Sequence, residues 1–246
     1  MAWFFASDNI VSDEYLITGE DARHIGKSLR MREGEEVSLV TPEGMLCRCE
    51  IKTITADSVL VTVLEKEECP TEPDVRVTLY QCLSKGEKME TVIQKAVELG
   101  VYSVIPVISA RCISRPDEKS LRKKEERWQK IALSAAQQSR RGIVPEIGKT
   151  VSFEKAVEKA KESGKSILFY ECGGEPLRTL VADFTAKGEK EISVFVGSEG
   201  GFEESEALFA KENGIALATL GKRILRTETA PLAALSAIMC LTGNMD

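Results

Sequence analysis

The chain has 246 residues, of which 43% are hydrophobic and 29% are charged, and its formal net charge is −6. This composition supplies enough apolar residues for one large domain or two modest ones, and it excludes a disordered chain. There is one histidine, His24, and the seven cysteines lack C-x-x-C pairs, so the common zinc and redox motifs are excluded. We therefore expect no metal site and reduced, mostly buried thiols.

The acidic total hides a segregated charge. Residues 1–70 carry 7 Lys and Arg against 14 Asp and Glu, whereas residues 85–141 carry 13 against 7. A local basic patch matters more for binding phosphates than the total charge does. The first residues lack the cationic segment of a secretory signal, and no stretch approaches about 18 uninterrupted apolar residues. We therefore expect a cytoplasmic protein without a membrane segment.

The first seventy residues predict a small β-rich domain. Strand-like runs cover 35–40, 45–54 and 58–64, with turn residues between them, and a helix is predicted over 19–31. Residues 68–75 contain two prolines and three acids, a composition typical of an interdomain linker. We therefore expect one domain over 1–70 and a second over 75–246.

From Val75 onward, predicted strands alternate with predicted helices. The strands are expected at 77–83, 103–109, 166–171, 192–197 and 215–220, and the helices at 87–99, 118–139, 153–163, just after Pro176, 204–213 and 230–241. This alternation predicts an α/β fold with a mostly parallel sheet covered on both faces. Ligands of such a sheet bind beyond the carboxyl ends of the strands.

Three strand ends are followed by unusual loops, "FYECGGEP" (169–176), "VGSEGGFEE" (196–204) and "LGKRILRTETAP" (220–231). Glycines in such loops either form tight turns or let a ligand approach the backbone. In the last loop, the apolar side chains fit a flat ring or attach the loop to the core. Thr227 and Thr229 are predicted to cap the final helix, with Pro231 in its first turn. Arg226 and Glu228 either pair with each other or form a site.

The loops "VGSEGGF" and "LGKRILRTETA", together with "KMETVIQKAVELGV", "RWQKIALSAAQQSRR" and "RHIGKSLRMREGE", resemble the RsmE family of 16S ribosomal RNA (uracil-N3) methyltransferases, of the SPOUT class. The resemblance covers essentially the whole chain. One departure is Ser198, where the family usually has proline. A serine restores a backbone N–H and frees φ, so this loop is expected to be less preorganised.

The resemblance implies an N-terminal PUA-like β-barrel that binds RNA, followed by a SPOUT α/β domain with a C-terminal trefoil knot. It also implies a homodimer, with S-adenosyl-L-methionine bound in the knot loops. The residues expected to line the cofactor site are Glu171, Gly197, Glu199, Gly200, Leu220, Gly221, Ile224 and Leu225. The implied reaction is methylation of N3 of a uridine in 16S ribosomal RNA, on the assembled 30S subunit. Arg226 is the candidate cation that stabilises the negative charge developing on the uracil, and the residues before and after it are expected to hold it beside the methyl group. Glu199 or Glu228 is the candidate acceptor of the N3 proton.

Two basic sets are candidates for RNA contact. The first is Arg23, Lys27, Arg30 and Arg32, with His24 among them, and the second is Arg111, Arg115, Arg140 and Arg141. Helical spacing would put Arg23, Lys27 and Arg30 on one face, which is either an RNA surface or an ordinary solvated face. The final helix has almost no polar residue, so we expect it to be buried on nearly all sides, in part by a second copy of the chain.

Two other classes of protein are compatible with the sequence. One is a non-enzymatic RNA-binding protein with a SPOUT-like domain, and the intact glycine loops argue against it. The other is an enzyme with a nucleotide cofactor on an open doubly wound sheet. The absence of a G-x-G-x-x-G fingerprint argues against this second class.

Overall fold

The computed structural model describes residues 2–245, which divide into two compact units. Unit 1 contains residues 2–72 and 136–144, and unit 2 contains residues 73–135 and 145–245. The boundary after residue 72 lies inside the predicted linker. No pattern in the sequence indicated that residues 136–144, which include the end of a long helix of unit 2, belong to unit 1.

Unit 1 is a five-stranded sheet with one short helical segment. Its elements are β1 (Ala2–Phe5), β2 (Glu14–Thr18), α1 (Gly19–Arg23), β3 (Glu36–Val40), β4 (Met45–Ile54) and β5 (Ser58–Glu68). The strand order is β1-β3-β4-β5-β2, with β1 parallel to β3 and the other pairs antiparallel. The three predicted strands are present, whereas β1 and β2 were not predicted.

The predicted helix over 19–31 is shorter and less regular than expected. After α1, residues His24–Ser28 form a π-helical turn, and Arg30 adopts a left-handed φ of 53° outside the helix. The prediction that Arg23, Lys27 and Arg30 share one helical face is therefore wrong, because the 3.6-residue period stops before it reaches Arg30. All three side chains are nevertheless exposed.

Residues 136–144 are held in unit 1 by a buried ion pair. Arg141 is 3% exposed, and its guanidinium donates to both carboxylate oxygens of Glu72 at 2.8 and 2.7 Å. The backbone N–H of Gly142 donates to the same carboxylate at 2.6 Å. The expectation that Arg141 contacts RNA is therefore corrected, because its guanidinium is buried and bonded within the unit.

Unit 2 is an eight-stranded parallel sheet with helices packed against it. Its strands are β6 (Arg76–Cys82), β7 (Ser103–Ile108), β8 (Glu146–Ile147), β9 (Val151–Ser152), β10 (Lys165–Phe169), β11 (Glu175–Pro176), β12 (Glu191–Val196) and β13 (Ala216–Thr219). Its helices are α2 (Lys88–Glu98), α3 (Glu118–Gln138, whose last three residues belong to unit 1), α4 (Phe153–Glu162), α5 (Leu177–Ala186), α6 (Glu204–Glu212) and α7 (Ala230–Leu241). The order is β11-β13-β10-β12-β6-β7-β8, with β9 also paired to β7. The α/β prediction is confirmed, and only the three two-residue strands were missed.

The centre of the sheet of unit 2 is an aromatic cluster. Residues 192–196 of β12 are all buried, which indicates that both faces of this strand are covered. Tyr80 of β6 stacks on Phe195 at 4.4 Å between ring centroids, and Phe153 of α4 approaches the same ring at 6.2 Å. These ring contacts pack β6, β12 and α4 together at the centre of the sheet.

Helix α7 begins and packs differently from expectation. Pro231 lies in its first turn as predicted, but neither predicted cap forms: Thr229 makes no capping hydrogen bond, and Thr227 bonds elsewhere. One face of α7 is buried, whereas Cys240 and Leu241 are exposed. The expected burial on nearly all sides is therefore not reached within one chain.

The seven cysteines are free thiols, four of them buried, as expected. Among residues 2–245, no helix combines the length and apolar character that crossing a bilayer requires.

The ion pair of Arg141 with Glu72 generates a stability prediction. Replacing Arg141 with Met leaves a largely buried carboxylate without its charge partner, so we expect a loss of about 3 kcal/mol in the free energy of unfolding. The double variant Arg141→Met/Glu72→Met should recover part of that loss. Urea denaturation followed by circular dichroism measures both. Arg122→Met, which removes an exposed pair with Glu118, is the control and should cost less than about 1 kcal/mol.

Candidate functional site

A cavity of about 560 Å³ lies in unit 2 beyond the carboxyl ends of three adjacent strands. Strands β12, β10 and β13 end at Val196, Phe169 and Thr219, and the loops that follow them form its walls. This volume is in the range typical of small-molecule sites. The position is the one expected for a ligand of a parallel sheet.

The structure brings together all eight residues that the sequence assigned to a cofactor site. The cavity is lined by Glu171, Gly197, Glu199, Gly200, Leu220, Gly221, Ile224 and Leu225, and also by Arg226, Thr227 and Lys88. Ile224 is 87% exposed, so this apolar side chain has no cover within unit 2. Burial of Ile224 therefore requires a ligand or another molecule.

Two glycines let the loop after β12 fold back on itself. A Cβ on Gly197 would lie 2.9 Å from the Cα of Gly201, so no side chain fits there. Gly201 has a φ of +66°, and a Cβ on it would collide with the carboxylate of Glu171 from the neighbouring loop. The glycines thus bring the backbone and a carboxylate to the same wall of the cavity.

The last loop is linked to the loop after β12 by buried hydrogen bonds. Thr227 is 5% exposed, and its hydroxyl donates to the carbonyl of Gly197 at 2.7 Å. The amide nitrogen of Gln81, at the end of β6, donates to the hydroxyl of Thr227 at 3.3 Å. Thr227 is therefore bonded to the cavity wall and does not cap α7. Its role was not apparent from sequence, because its partners are 30 and 146 residues away.

Ser198 is held as firmly as the rest of its loop. It is 6% exposed, its hydroxyl donates to the carbonyl of Arg111 at 3.3 Å, and it forms a backbone bridge with Gly201. The loss of preorganisation expected from the absence of proline is thus offset by this side-chain bond.

Lys88, from the first turn of α2, links two carboxylates at the edge of the cavity. Its Nζ lies 3.1 Å from Oε1 of Glu199 and 3.5 Å from Oε2 of Glu228, the second distance being an ion pair without a hydrogen bond. The backbone N–H of Lys85 also donates to Oε1 of Glu199 at 3.1 Å. Lys88 begins one of the runs that carry the family resemblance, but no role was predicted for this residue from sequence.

The hydrogen bonds around Lys88 shift the pKa values of two groups in opposite directions. Burial alone would raise the pKa of Glu199, but hydrogen bonds from its own backbone N–H, Lys88 and Lys85 together lower that pKa below its ordinary value. The hydrogen bond to Glu199 raises the pKa of Lys88. Both groups are therefore charged at neutral pH.

Arg226 is not fixed beside the cavity as expected. Its side chain is 83% exposed, and its Nη1 lies 4.0 Å from Oε1 of Glu228, at the limit of an ion pair. The expectation that structure on both sides holds this cation in place is wrong for the single chain, because Lys88 is nearer to Glu228. A pair at this exposure contributes little stability, so a purely structural role is not supported either.

The second basic set also separates into different environments. Arg111 donates to the carbonyl of Gly200 at 2.9 Å, and Arg115 donates to three carbonyls of its own loop, including Ala110 at 3.0 Å. Both side chains remain exposed in unit 2. Arg140 is exposed in unit 1, as is Arg32 of the first set, whereas Arg141 is buried there.

This arrangement suits a ligand with a flat apolar part and polar groups at its edges. Leu220, Ile224 and Leu225 supply apolar surface, and the glycine backbone and Glu171 supply hydrogen-bonding groups. The cluster of Lys88 with two carboxylates provides both signs of charge at the same cavity. No metal-binding cluster of His, Cys, Asp and Glu occurs within residues 2–245.

Comparison with known proteins agrees with the geometry. The family model for the RNA methyltransferase domain matches residues 71–239, and the model for the RNA methyltransferase PUA domain matches residues 17–64. A relative from Bacillus subtilis (strain 168), named Ribosomal RNA small subunit methyltransferase E, is 37% identical over 228 residues, which cover 91% of this chain and 89% of the relative. A relative of the same name from Aquifex aeolicus (strain VF5) is 33% identical and covers 85% of this chain and 87% of its own length.

A solved structure is similar over the same extent. The crystal structure of a Ribosomal RNA small subunit methyltransferase E from Neisseria gonorrhoeae bound to S-adenosyl methionine aligns with a TM-score of 0.88 and 33% identity, covering 98% of both chains. Sequence and fold therefore agree over nearly the whole length, and the chain belongs to the ribosomal RNA small subunit methyltransferase E family of RNA methyltransferases.

Proposed function

We propose that this protein is an S-adenosyl-L-methionine-dependent methyltransferase that methylates N3 of a uridine in 16S ribosomal RNA, on the assembled 30S subunit. The observation that carries the proposal is the cavity at the ends of β10, β12 and β13, where all eight expected cofactor residues meet the charged cluster of Lys88. Membership of the family and the cofactor named for the Neisseria relative support the choice of reaction.

The residues of the cavity fit the cofactor. The apolar side chains of Leu220, Ile224 and Leu225 would hold its adenine, and backbone groups of Gly197 and Gly221 would bond the edge of that ring. The carboxylate of Glu171 would accept hydrogen bonds from ribose hydroxyls. When bound, S-adenosyl-L-methionine supplies an electrophilic methyl group on a sulfonium centre.

The N3 proton of uridine would be accepted by one of two carboxylates, that of Glu199 or that of Glu228. Oε1 of Glu199 already accepts hydrogen bonds from Lys88 and from the backbone of Lys85, and the lowered pKa of Glu199 makes it a weak base. Oε2 of Glu228 is buried and accepts no hydrogen bond from residues 2–245. We therefore assign proton acceptance to Glu228, with Glu199 fixing the orientation of Lys88.

Arg226 acts on the substrate from the rim of the cavity. Negative charge develops on the uracil oxygens as the N3 proton leaves, and a cation near them stabilises it. The exposed guanidinium of Arg226 is free to reach a uracil that covers the cavity. The exposed position of Arg226 in the single chain then represents the protein before RNA binds.

The exposed cations provide the RNA surface. The RNA contacts would come from Arg23, Lys27, Arg30, Arg32 and Arg140 of unit 1 and from Arg111 and Arg115 of unit 2, with Arg141 left out because it is buried. Phosphate contacts position the RNA and are weakened by salt. In this proposal unit 1 is a PUA-like β-barrel and the protein acts in the cytoplasm, where ribosomal RNA is.

Two further features belong to the proposal. The segment after β13 is linked to Gly197 and Gln81 through Thr227 before α7 packs against β6, and this path favours a C-terminal trefoil knot. The exposed apolar end of α7 and the exposed Ile224 favour a homodimer that covers both. A non-enzymatic RNA-binding role is the alternative, and it gives no reason for the buried hydrogen bonds that hold the cavity loops.

The reaction is tested by single-turnover methylation of 30S subunits, with mass spectrometry to identify the methylated nucleoside. We expect N3-methyluridine from the native chain. Arg226→Ala should slow the transfer roughly 10²-fold, the scale of losing one donor to a developing oxyanion. Its affinity for S-adenosylhomocysteine should stay within a few fold. A native chain that binds RNA and methylates none would establish the non-enzymatic alternative.

Cofactor binding is tested at Gly201. Gly201→Ala introduces a Cβ where the carboxylate of Glu171 lies, so Glu171 must move out of the wall of the cavity. We expect affinity for S-adenosylhomocysteine, measured by calorimetry, to fall at least about tenfold, or ~1.4 kcal/mol. Gly214→Ala is the matched control, because Gly214 also has a left-handed φ, +84°, but no atom near its Cβ position. Equal losses in the two variants would show that backbone strain alone is responsible.

The dimer is tested at the exposed end of α7. Cys240→Arg places a charge on a surface that is exposed in the single chain, so the variant should fold. Light scattering at micromolar concentration should then report a dimer for the native chain and a monomer for Cys240→Arg. Glu212→Arg, an equally exposed change on α6, is the control and should leave the mass unchanged. A monomeric native chain would contradict the proposal.

A further inference from the structure

A second cavity, of about 280 Å³, lies on the sheet of unit 1 and has no part in the proposed methyl transfer. Its volume is slightly below the ~300 Å³ at which sites for small molecules usually begin. It therefore has room for one flat ring and little more. The groups that line it include one aromatic ring, two arginines and two glutamates.

The floor of this cavity is a row of side chains across four strands. Trp3 of β1 is paired with Ser38 of β3, Ser38 with Arg48 of β4, and Arg48 with Glu65 of β5. The next residues along three of these strands point into the hydrophobic core: Phe4, Leu39 and Cys47 are at most 3% exposed. Because side chains alternate between the faces of a sheet, the row from Trp3 to Glu65 lies on the face away from the core.

The wall of the cavity is held rigidly by residues 136–144. The indole N–H of Trp3 donates to the carbonyl of Arg141 at 3.0 Å, which fixes the orientation of the ring. Arg140 has a left-handed φ of 57°, and its carbonyl accepts a hydrogen bond from the hydroxyl of Thr71 at 2.7 Å. The buried pair of Arg141 with Glu72 keeps this backbone in place. The indole ring of Trp3 is thus preorganised at the cavity, and so is the backbone that carries Arg140.

The charged groups of the cavity are only partly paired. Arg48 lies 3.2 Å from Glu65 and is compensated by it. The guanidinium of Arg140 and the carboxylate of Glu67 make no hydrogen bond or ion pair with any other side chain in the described part of the chain. The guanidinium of Arg140, which can donate two parallel hydrogen bonds, and the carboxylate of Glu67, which can accept two, are therefore available to a ligand. Two carboxylates at the same cavity repel phosphate, so the complementary group is a base and not the RNA backbone.

We propose that this cavity binds an unpaired guanine of the RNA substrate, stacked on Trp3. Single-stranded bases commonly stack on aromatic side chains that stand on a sheet. Among the four bases, only guanine presents two adjacent acceptors, O6 and N7, and two adjacent donors, N1–H and the N2 amino group. Arg140 binds the acceptors as a two-pronged donor, and Glu67 accepts from the two donors. Uracil offers one N–H donor between two carbonyls and leaves one oxygen of Glu67 without a partner.

The inference rests on the proposed function, since it assumes an RNA substrate, but it is tested without methylation. The chain has two tryptophans, Trp3 and the 3% exposed Trp128, so 5-fluorotryptophan labelling gives two ¹⁹F resonances, assigned with Trp3→Phe. Guanosine monophosphate at millimolar concentration should shift the Trp3 resonance and leave that of Trp128 unchanged. The uridine, cytidine and adenosine monophosphates should bind at least about tenfold more weakly, the scale of one good two-pronged contact.

Glu67→Gln should lower the affinity for guanosine monophosphate about tenfold, because an amide cannot accept two N–H donors side by side. Glu68→Gln makes the same change at the adjacent exposed residue, which does not line the cavity, and should have no effect. Equal shifts with all four nucleotides, no shift with any, or equal affinities in the two variants would each overturn the proposal. If guanosine monophosphate binds but the native chain methylates no RNA, the proposed function fails and the base site stands.

Discussion

The close approach of Gly197 to Gly201 is the constraint on which the cavity of unit 2 depends. A Cβ on Gly197 would lie only 2.9 Å from the Cα of Gly201. The loop after β12 therefore turns sharply and exposes its backbone groups. The carbonyl of Gly197 then accepts the buried hydroxyl of Thr227, which brings in the loop after β13. Glu171 contacts Gly201 and brings in the loop after β10. Three loops far apart in sequence are thus held at one point by contacts that any larger residue would prevent.

The charges at the edge of this cavity are arranged by helix α2. Lys88 lies nearer to Glu228 than Arg226 does, and it also bonds Glu199. Oε1 of Glu199 therefore accepts two hydrogen bonds, whereas Oε2 of Glu228 is buried and accepts none from residues 2–245. The two carboxylates thus differ in their hydrogen-bond partners, although both lie near the same ammonium group. Arg226 is left exposed and can respond to a substrate.

The two faces of the sheet in unit 1 carry different kinds of side chain. The inward residues form a continuous apolar core, and the outward row presents an aromatic ring beside charged groups. Residues 136–144 supply a wall to that outward face, held there by the carboxylate of Glu72. A single buried ion pair thus supports both the stability of the unit and the shape of its surface cavity.

The sequence by itself determined most of the strands and helices and the three cavity loops. Alternation of apolar residues gave strands β3, β4 and β5, and the repeated strand and helix pattern gave the parallel sheet of unit 2. Because parallel strands end at a common edge, the three loops that line one cavity were predictable. The choice of eight residues within those loops came from the family resemblance. Helix α1 was overestimated because its charge pattern continues beyond the residue where its backbone becomes a π-helical turn.

Tertiary structure decided the contacts that join distant residues. Arg141 and Glu72 are 69 residues apart, so no local pattern distinguishes this buried arginine from the exposed Arg140 beside it. Lys88 and Glu199 are 111 residues apart, and their pairing follows from where α2 begins relative to the end of β12. The period at which apolar residues recur in the sequence indicates which side of a helix or strand faces the core. It does not report which charged side chains meet, because that depends on how the elements pack together.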